Sequence, residues 1–348
     1  MGSDGGPGVE VMGALEALRS SGLEVVLVGD EAKIAPHLDA DGRGVPADLR
    51  ARLTLRHTPE AITMQDAPSM AVKGKKQSSM RLCFDMAKAG EVDAVVSAGN
   101  SGAMMACGLF VLGRLPDVDR PAIVTTFPTT GGECALLDMG ANVDPKPAVL
   151  AQFAVMGSVY ARLQHGKPRP RVGLLSNGSE SHKGTALTRE THALLKRTLA
   201  YEGFTYLGYV EGRDIFRGNV DVVVTDGFTG NVLLKGCEGV VEAVFKMVRA
   251  EVMASGPLVK LGALMMKPAL RRLKRRTDYA ETGGAPLLGV SGVAMICHGG
   301  SGAKAIKNAI LQAERFAQSG LDKALAGEVE KTCSLFAPAA VSHGESAS

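Results

Sequence analysis

Short apolar runs alternate along this chain with longer segments in which apolar residues recur at helical spacing. A short strand cannot bury its own faces, so this alternation predicts a sheet that is covered by helices. The predicted strands lie near residues 23–28, 53–57, 93–97, 122–127, 134–138, 172–176, 204–210, 221–225 and 292–297. We expect an α/β fold: a three-layer α/β/α sandwich of Rossmann-like type with a mostly parallel, mixed sheet.

Composition excludes several classes of function. The chain has 348 residues, a formal net charge of +3, no Trp and only 4% aromatic residues. The low aromatic content argues against a surface that stacks single-stranded nucleic acid, and the net charge is too small to imply nucleic-acid binding by itself. The six cysteines form no Cys-x-x-Cys pair, and no apolar run is long enough to span a bilayer. We expect a cytoplasmic protein with reduced thiols and at most peripheral membrane contact.

One predicted strand leads into a glycine turn that favours an anion site. Residues 94–96 are apolar, residues 97–103 are small and glycine-rich, and an apolar helical segment then reaches Leu112. Free N–H groups at a helix N-terminus bind phosphate, and small residues let an anion approach closely. Gly99, Asn100 and Ser101 are therefore predicted to bind phosphate. Glycines in such turns also serve plain packing, and the turn alone does not decide between the two.

Five longer stretches carry a family resemblance. They are Thr-Phe-Pro-Thr-Thr at 126–130, Leu-Asp-Met-Gly-Ala-Asn-Val-Asp at 137–144, Val-Glu-Gly-Arg-Asp at 210–214, Asp-Gly-Phe-Thr-Gly-Asn at 226–231 and Gly-Gly-Ala-Pro-Leu-Leu-Gly-Val at 283–290. The chain closely resembles the PlsX family, the acyl carrier protein:phosphate acyltransferases of bacterial phospholipid synthesis. The resemblance implies transfer of a fatty acyl group from acyl carrier protein to inorganic phosphate. It also implies a fold related to isocitrate and isopropylmalate dehydrogenases and to phosphate acetyltransferases.

That reaction makes modest demands on a protein. A thioester is already activated and phosphate carries its own nucleophilic oxygen, so no Ser or Cys nucleophile, metal or bound cofactor is required. The enzyme must bind an anion, orient it and stabilise a tetrahedral oxyanion. Backbone N–H groups, a cation and neutral amide or hydroxyl donors meet these needs. The carboxyl ends of strands in open α/β sheets are where such groups are expected.

Two residues are predicted to be catalytic. Lys183 lies in a turn between a strand and a helix, where a cation can meet bound phosphate; the alternative is a solvated surface lysine. Asn231 lies in the first turn of a long helix and can donate its amide to the oxyanion, while Thr229 can bond phosphate. Helix capping is the alternative for both Thr229 and Asn231.

Other strand ends supply further candidates. His298 and Ser301 follow a third strand within a glycine turn and are predicted to bind phosphate or substrate; a buried histidine that ties two loops together is the alternative. Thr129, Thr130 and Asn142 are predicted to line the same cleft. No set of His or carboxylate residues has a spacing that forces a metal site.

The segment 257–276 has the most unusual composition. From Lys260 to Arg276 there are seven basic residues and no acidic one, with leucines at helical spacing. Pro268 is predicted to split it into two short helices, a basic amphipathic hairpin near 252–276. Such an element suits an anionic membrane or acidic acyl carrier protein; an ordinary surface helix or a dimer contact is the alternative. The predicted contact residues are Leu258, Lys260, Leu261, Leu264, Lys267, Arg271, Arg272 and Lys274.

The predicted organisation is one phosphate acyltransferase domain over 1–330, a disordered tail over 337–348 and assembly as a homodimer. Residues 1–4 align with a Met-Gly-Gly-Asp turn of the resembled family, and the strand that precedes that turn is missing. We expect either a start assigned too far downstream or an unpaired strand edge. A phosphate acetyltransferase that uses small acyl-coenzyme A and a peripheral membrane adaptor remain the alternative functions.

Overall fold

The computed structural model describes residues 1–38, 44–180 and 182–336, so the predicted disordered tail at 337–348 lies outside the described residues. Within them the chain forms ten strands: β1 Val25–Gly29, β2 Leu53–His57, β3 Ala94–Ser97, β4 Ala122–Thr129, β5 Gly132–Leu137, β6 Arg171–Leu175, β7 Thr205–Val210, β8 Val222–Val224, β9 Ala285–Leu288 and β10 Val293–Ile296. The nine predicted strands are confirmed. Strand β9 was not predicted, because Pro286 inside a short run argues against a strand within a sheet.

Thirteen α-helices are found in the same residues: α1 Pro7–Ser20, α2 Glu31–Leu38, α3 Ala47–Arg50, α4 Pro68–Gly74, α5 Ser79–Ala89, α6 Ser101–Cys107, α7 Pro147–His165, α8 Ala186–Leu195, α9 Gly227–Ala254, α10 Pro257–Thr277, α11 Tyr279–Thr282, α12 Ala303–Ser319 and α13 Leu321–Phe336. Helix α7 is buried on every side over residues 149–161. An apolar helix of this kind must lie in the core. With α8, α12 and α13 it covers one face of the sheet, and α4, α5, α6 and the start of α9 cover the other.

The main sheet has eight strands in the order β3-β10-β9-β4-β5-β8-β6-β7. Four neighbouring pairs are parallel and three are antiparallel, which confirms a mixed sheet in a three-layer fold. Strands β3, β4 and β10 run in one direction, and β5, β6, β7, β8 and β9 run in the other. We call the end where β5, β6, β7 and β8 finish the β5 end, and the end where β3, β4 and β10 finish the β3 end.

Strands β1 and β2 form a separate parallel sheet. Among the described strands, β1 pairs only with β2, and β3 pairs only with β10. A cavity of about 120 Å³ lies between them, lined by Val26, Leu27 and Val28 of β1 and by residues 95–99. Each of β1 and β3 therefore has one edge without a strand partner among the described residues, and both strands line this cavity.

The prediction of two short helices in the basic segment was wrong. Helix α10 is one continuous helix of 21 residues with Pro268 inside it, and the hairpin is formed by α9 and α10 around Ser255 and Gly256. Proline removes one backbone donor at a cost of about 3 kcal/mol, but the turns on either side keep their own hydrogen bonds. No residue of α10 is buried. No helix among the described residues is both long and apolar enough to cross a membrane.

Candidate active site

Three neighbouring strands deliver candidate residues to the β5 end. The order β5-β8-β6 is fixed by parallel pairing of Leu137 with Val224 and of Leu174 with Val224. Asn142 follows β5, Thr229 and Asn231 follow β8, and Lys183 follows β6. The predicted catalytic pair therefore lies in adjacent loops at one end of the sheet.

In the turn from β8 into α9, Thr229 and Asn231 have different hydrogen-bonding roles. Asp226 is the N-cap residue: one carboxylate oxygen accepts the backbone N–H of Thr229 at 2.8 Å and the other accepts its hydroxyl at 2.7 Å. Thr229 is thus part of the cap. The half-buried side-chain amide of Asn231 has no hydrogen-bond partner among the described residues. Capping therefore accounts for Thr229 and does not account for Asn231.

The loop after β5 is built around the carboxylate of Asp138, which has no exposed surface. One oxygen accepts the N–H groups of Ile123, Gly140 and Ala141 at 3.0, 3.3 and 3.1 Å. The other accepts the backbone and side-chain N–H groups of Asn142 at 2.6 and 2.9 Å. Burial raises the pKa of the Asp138 carboxyl, while these hydrogen bonds act in the opposite direction.

Those bonds change the outlook for Asn142. The side-chain amide of Asn142 donates to the carbonyl of Pro121 at 2.8 Å as well as to Asp138, and the backbone carbonyl of Asn142 accepts the N–H of Gly227 at 2.7 Å. Every donor of Asn142 is therefore engaged inside the protein. Asn142 therefore joins the loop to the first turn of α9.

The first turn of α9 packs against this loop through positions where a side chain would not fit. A Cβ atom on Gly230 would lie 2.0 Å from the carbonyl oxygen of Asp138, and one on Gly227 would lie 2.8 Å from the carbonyl oxygen of Asn142. In the loop, Gly140 has a φ of +130°, and its backbone lies close to Asn231. A Cβ atom placed on Gly140 would lie 3.7 Å from the nearest side-chain atom of Asn231. The contact fixes where Asn231 stands.

Lys183 lies between β6 and α8, in a segment of which every residue but Ser181 is described. Its backbone N–H donates to the carbonyl of Glu180 at 3.0 Å. The side chain of Asn177 holds the N–H of Gly184 at 3.0 Å, and Thr185 caps α8 through the N–H of Thr188 at 3.2 Å. The Lys183 side chain is half-buried and has no ion-pair partner among the described residues. The backbone of this segment is held by hydrogen bonds, and the ammonium of Lys183 has no counter-ion among the described residues.

Candidates in the turn after β3 lie at the β3 end and are largely engaged. Asn100 caps α6 by accepting the N–H of Ala103 at 3.0 Å, and its amide donates to the carbonyls of Thr63 and Asp66 at 3.1 Å each. Gly99 is buried and Ser101 is exposed. The capping and packing alternative therefore describes Asn100 well.

The turn after β10 also lies at the β3 end. Exposed His298 accepts the N–H of Gly300 on its Nδ1 atom at 3.2 Å. Ser301 is buried, and its hydroxyl has no hydrogen-bond partner among the described residues. Cys297 precedes His298, and burial raises the pKa of its thiol to about 12, so this cysteine is not a thiolate nucleophile near neutral pH.

The expectation that Thr129, Thr130 and Asn142 line one cleft was wrong for a single chain. Thr129 pairs with Gly132 at the β3 end, whereas Asn142 follows the other end of β5. Six residues of strand separate them by roughly 17 Å. Thr130 donates its hydroxyl to the carbonyl of Arg217 at 3.1 Å, and the hydroxyl of Thr129 accepts the N–H of Gly131 at 3.1 Å.

The sequence did not single out Asp138 as a builder of the site. The available signal was an aspartate directly after a buried strand, followed by Gly-Ala-Asn, whose backbone N–H groups can fold back onto a carboxylate. Within the described residues, no group of three or more His, Cys, Asp or Glu side chains could hold a metal ion.

Comparison with known proteins gives consistent matches. Residues 1–324 match the model of the family described as "Fatty acid synthesis protein". A phosphate acyltransferase from Geobacter sulfurreducens is 53% identical over 331 residues, covering 95% of this chain and 92% of that protein. A phosphate acyltransferase from Trichlorobacter lovleyi is 50% identical over 331 residues, covering 95% and 93%.

Solved structures agree in fold. A phosphotransacetylase from Streptococcus pyogenes superposes with a TM-score of 0.55 at 17% identity, covering 90% of this chain and 92% of that one. The EutD phosphotransacetylase from Staphylococcus aureus superposes with a TM-score of 0.53 at 15% identity, covering 89% and 91%. At these identities the likeness confirms the predicted type of fold.

Proposed function

Because the chain belongs to the fatty acid synthesis protein family, the PlsX family that its sequence resembles, and is a phosphate acyltransferase, we propose that it takes its fatty acyl group from acyl carrier protein and that the transfer takes place at the β5 end. One observation carries the location. Lys183 and Asn231 follow the adjacent strands β6 and β8, and neither side chain has a protein partner among the described residues.

Lys183 is proposed to bind the phosphate. A half-buried ammonium without an ion pair attracts an anion, and the N-terminus of α9 adds positive potential from its backbone dipoles. Two carboxylates at this end of the sheet do not oppose this strongly, since Asp226 is engaged as a cap and Asp138 is surrounded by five N–H donors. Glu180 lies in the same segment as Lys183 and forms no salt bridge with it in the described part of the chain.

Asn231 is proposed to stabilise the oxyanion. A phosphate oxygen attacks the thioester carbonyl carbon, and the carbonyl electrons move onto its oxygen, which accepts the Asn231 amide N–H. Collapse of this tetrahedral species breaks the carbon–sulfur bond. The carrier leaves as a thiolate and takes up the proton that the hydrogen phosphate gives up. The products are acyl phosphate and the carrier thiol.

The hairpin of α9 and α10 is proposed to dock on an anionic membrane. Leu258, Leu261 and Leu264 are 84%, 56% and 61% exposed. The cations of α10 form no salt bridge within the described part of the chain, and Arg276 anchors the helix by donating to the carbonyl of Thr129 at 3.2 Å. Exposed leucines together with unpaired cations suit a lipid surface better than an acidic protein alone. The enzyme is thus peripheral to the membrane.

The same hairpin supports a homodimer. Helix α9 exposes an apolar stripe on its outer side, formed by Val232, Val240, Val244, Met247 and Val248. A stripe this long on a helix that projects from the sheet suits a second copy of the helix. Sedimentation velocity reads the oligomeric state directly, and a monomer would remove this part of the proposal.

The test of function compares two acyl donors at equal phosphate. Long-chain acyl carrier protein and phosphate should yield acyl phosphate and free carrier thiol in equal amounts, while acetyl-coenzyme A should turn over poorly. Preference for acetyl-coenzyme A would make this a phosphate acetyltransferase. No turnover with either donor, combined with vesicle binding, would favour a membrane adaptor.

A further inference from the structure

The carboxylate of Asp138 has no part in the proposed bond-making steps, yet it is the most densely hydrogen-bonded side chain at the β5 end. It has no exposed surface, and all five of its partners donate N–H groups. Burying a carboxylate is expensive unless its oxygens are satisfied, so the arrangement must be maintained as a unit. Removing its charge affects every donor at once.

The loop that wraps this carboxylate is the surface against which α9 begins. The backbone of Asp138 donates its N–H to Thr225 at 3.0 Å and lends its carbonyl to the tight contact with Gly230. Asn142, held by the carboxylate, accepts the N–H of Gly227 at 2.7 Å. This loop therefore contacts the start of α9 at Gly227 and Gly230 and the preceding residue Thr225.

Gly140 completes the connection. Its N–H bonds to the carboxylate at 3.3 Å, and its α-carbon faces Asn231 closely enough that an added Cβ would contact the amide carbon and nitrogen at 3.7 Å each. Orientation errors of about 1 Å in a catalytic group can lower a rate by about 10²-fold. The loop is therefore close enough to govern catalysis.

We propose that Asp138 is a positioning residue for this reaction: its carboxylate folds residues 138–142 into a seat that fixes the Asn231 amide in the direction of the developing oxyanion. This inference rests on the proposed function. Asp138 does not touch substrate, and it acts through Asn231.

The test is a double-mutant cycle with Asp138→Asn and Asn231→Ala, measured as kcat and KM for acyl phosphate formation. Asn has nearly the same shape as Asp but turns an NH₂ group toward the donors of Asn142. Asp138→Asn alone should lower kcat by about 10²-fold with little change in KM. In the Asn231→Ala background the same change should lower kcat by less than about 3-fold, because the amide that it positions is gone.

Asp221→Asn is the matched control. Asp221 is also buried and also accepts several N–H groups, from the backbone N–H, Nε and Nη2 of Arg171 at 2.9, 2.9 and 3.0 Å. It precedes β8 at the β3 end of the sheet, so its loss should lower stability and combine additively with Asn231→Ala.

Equal fold losses for Asp138→Asn in both backgrounds, or a rise in KM with unchanged kcat, would overturn the inference. If Asp138→Asn does not fold, Asn142→Ala replaces it in the cycle, since it removes one donor to the carboxylate and the tie to Pro121; additivity there would also overturn the inference. A wild-type enzyme inactive with acyl carrier protein would instead refute the proposed function.

Discussion

Gly230→Ala adds one methyl group where α9 meets the Asp138 loop. That methyl would lie 2.0 Å from the carbonyl oxygen and 3.1 Å from the carbonyl carbon of Asp138, and 3.1 Å from the Cγ2 atom of Thr225. Two of these three atoms are backbone atoms that bound the sheet, so they cannot rotate away. The first turn of α9 must move instead, and Asn231 moves with it.

The magnitude follows from that displacement. An ordinary carbon–oxygen contact is more than 1 Å longer than 2.0 Å, so the turn must shift by about 1 Å. Such overpacking lowers the free energy of unfolding by about 1–3 kcal/mol, partly offset by the roughly 1 kcal/mol by which Ala favours a helix over Gly. A 1 Å misplacement of the catalytic amide should lower kcat by about 10²-fold.

Urea unfolding and acyl phosphate formation measure the two effects. Gly236→Ala is the control, because a Cβ there meets nothing within 4 Å on the same helix. It should leave kcat unchanged and raise stability by up to about 1 kcal/mol. Wild-type turnover by Gly230→Ala would refute the claim that this packing positions Asn231.

Three further predictions concern the phosphate site, the hairpin and acid stability. Lys183→Ala should lower kcat/KM by about 10²-fold or more, and Lys183→Arg should restore little activity, because a planar guanidinium does not replace a compact ammonium. The control Lys196→Ala, which changes an exposed lysine after α8, should have no effect. Near-normal turnover by a folded Lys183→Ala variant would show that Lys183 is not part of the site. The double variant Leu261→Glu, Leu264→Glu should no longer co-sediment with anionic vesicles but should keep its turnover in solution. The control Leu199→Glu, which changes a leucine that is 67% exposed outside the hairpin, should still bind the vesicles. Co-sedimentation of the double variant would contradict membrane docking. Burial raises the pKa of the Asp221 carboxyl, but hydrogen bonds and charge interactions with Arg171 and Lys167 outweigh burial and hold that pKa below its usual value. The stabilising effect of Asp221 is therefore present above about pH 4 and is lost as the pH falls through the folded-state pKa. The difference in melting temperature between wild type and Asp221→Asn should shrink below about pH 4, and a difference that grows in acid would contradict this.

The sequence predicted the elements well and their directions poorly. Most of the strands of the main sheet could be found because buried strands are continuous apolar runs. The antiparallel pairing around β9 and β4 could not be predicted, because the pattern of side chains along a strand does not indicate the direction in which its neighbour runs. As a result, candidates such as Thr129 and His298 were grouped with Lys183, although they lie at the other end of the sheet.

Residue type also does not separate ligands from caps. Asn100, Asn142 and Asn231 each follow a strand and each can donate an amide N–H. Only the structure shows that the first two amides are engaged within the protein and that the third has no partner in the part of the chain that is described. The role of Asp138 was hidden for a similar reason, because its partners are backbone N–H groups that every sequence possesses.

The most direct test of the account compares Asn231→Asp with Asn231→Ala. The aspartate keeps the size of the side chain but places a negative charge where the oxyanion develops, so its turnover of acyl carrier protein thioester should fall below that of the alanine variant. Both variants should remain folded, because the cap of α9 is Asp226. An aspartate variant more active than the alanine variant would contradict the central claim that the Asn231 amide stabilises the oxyanion.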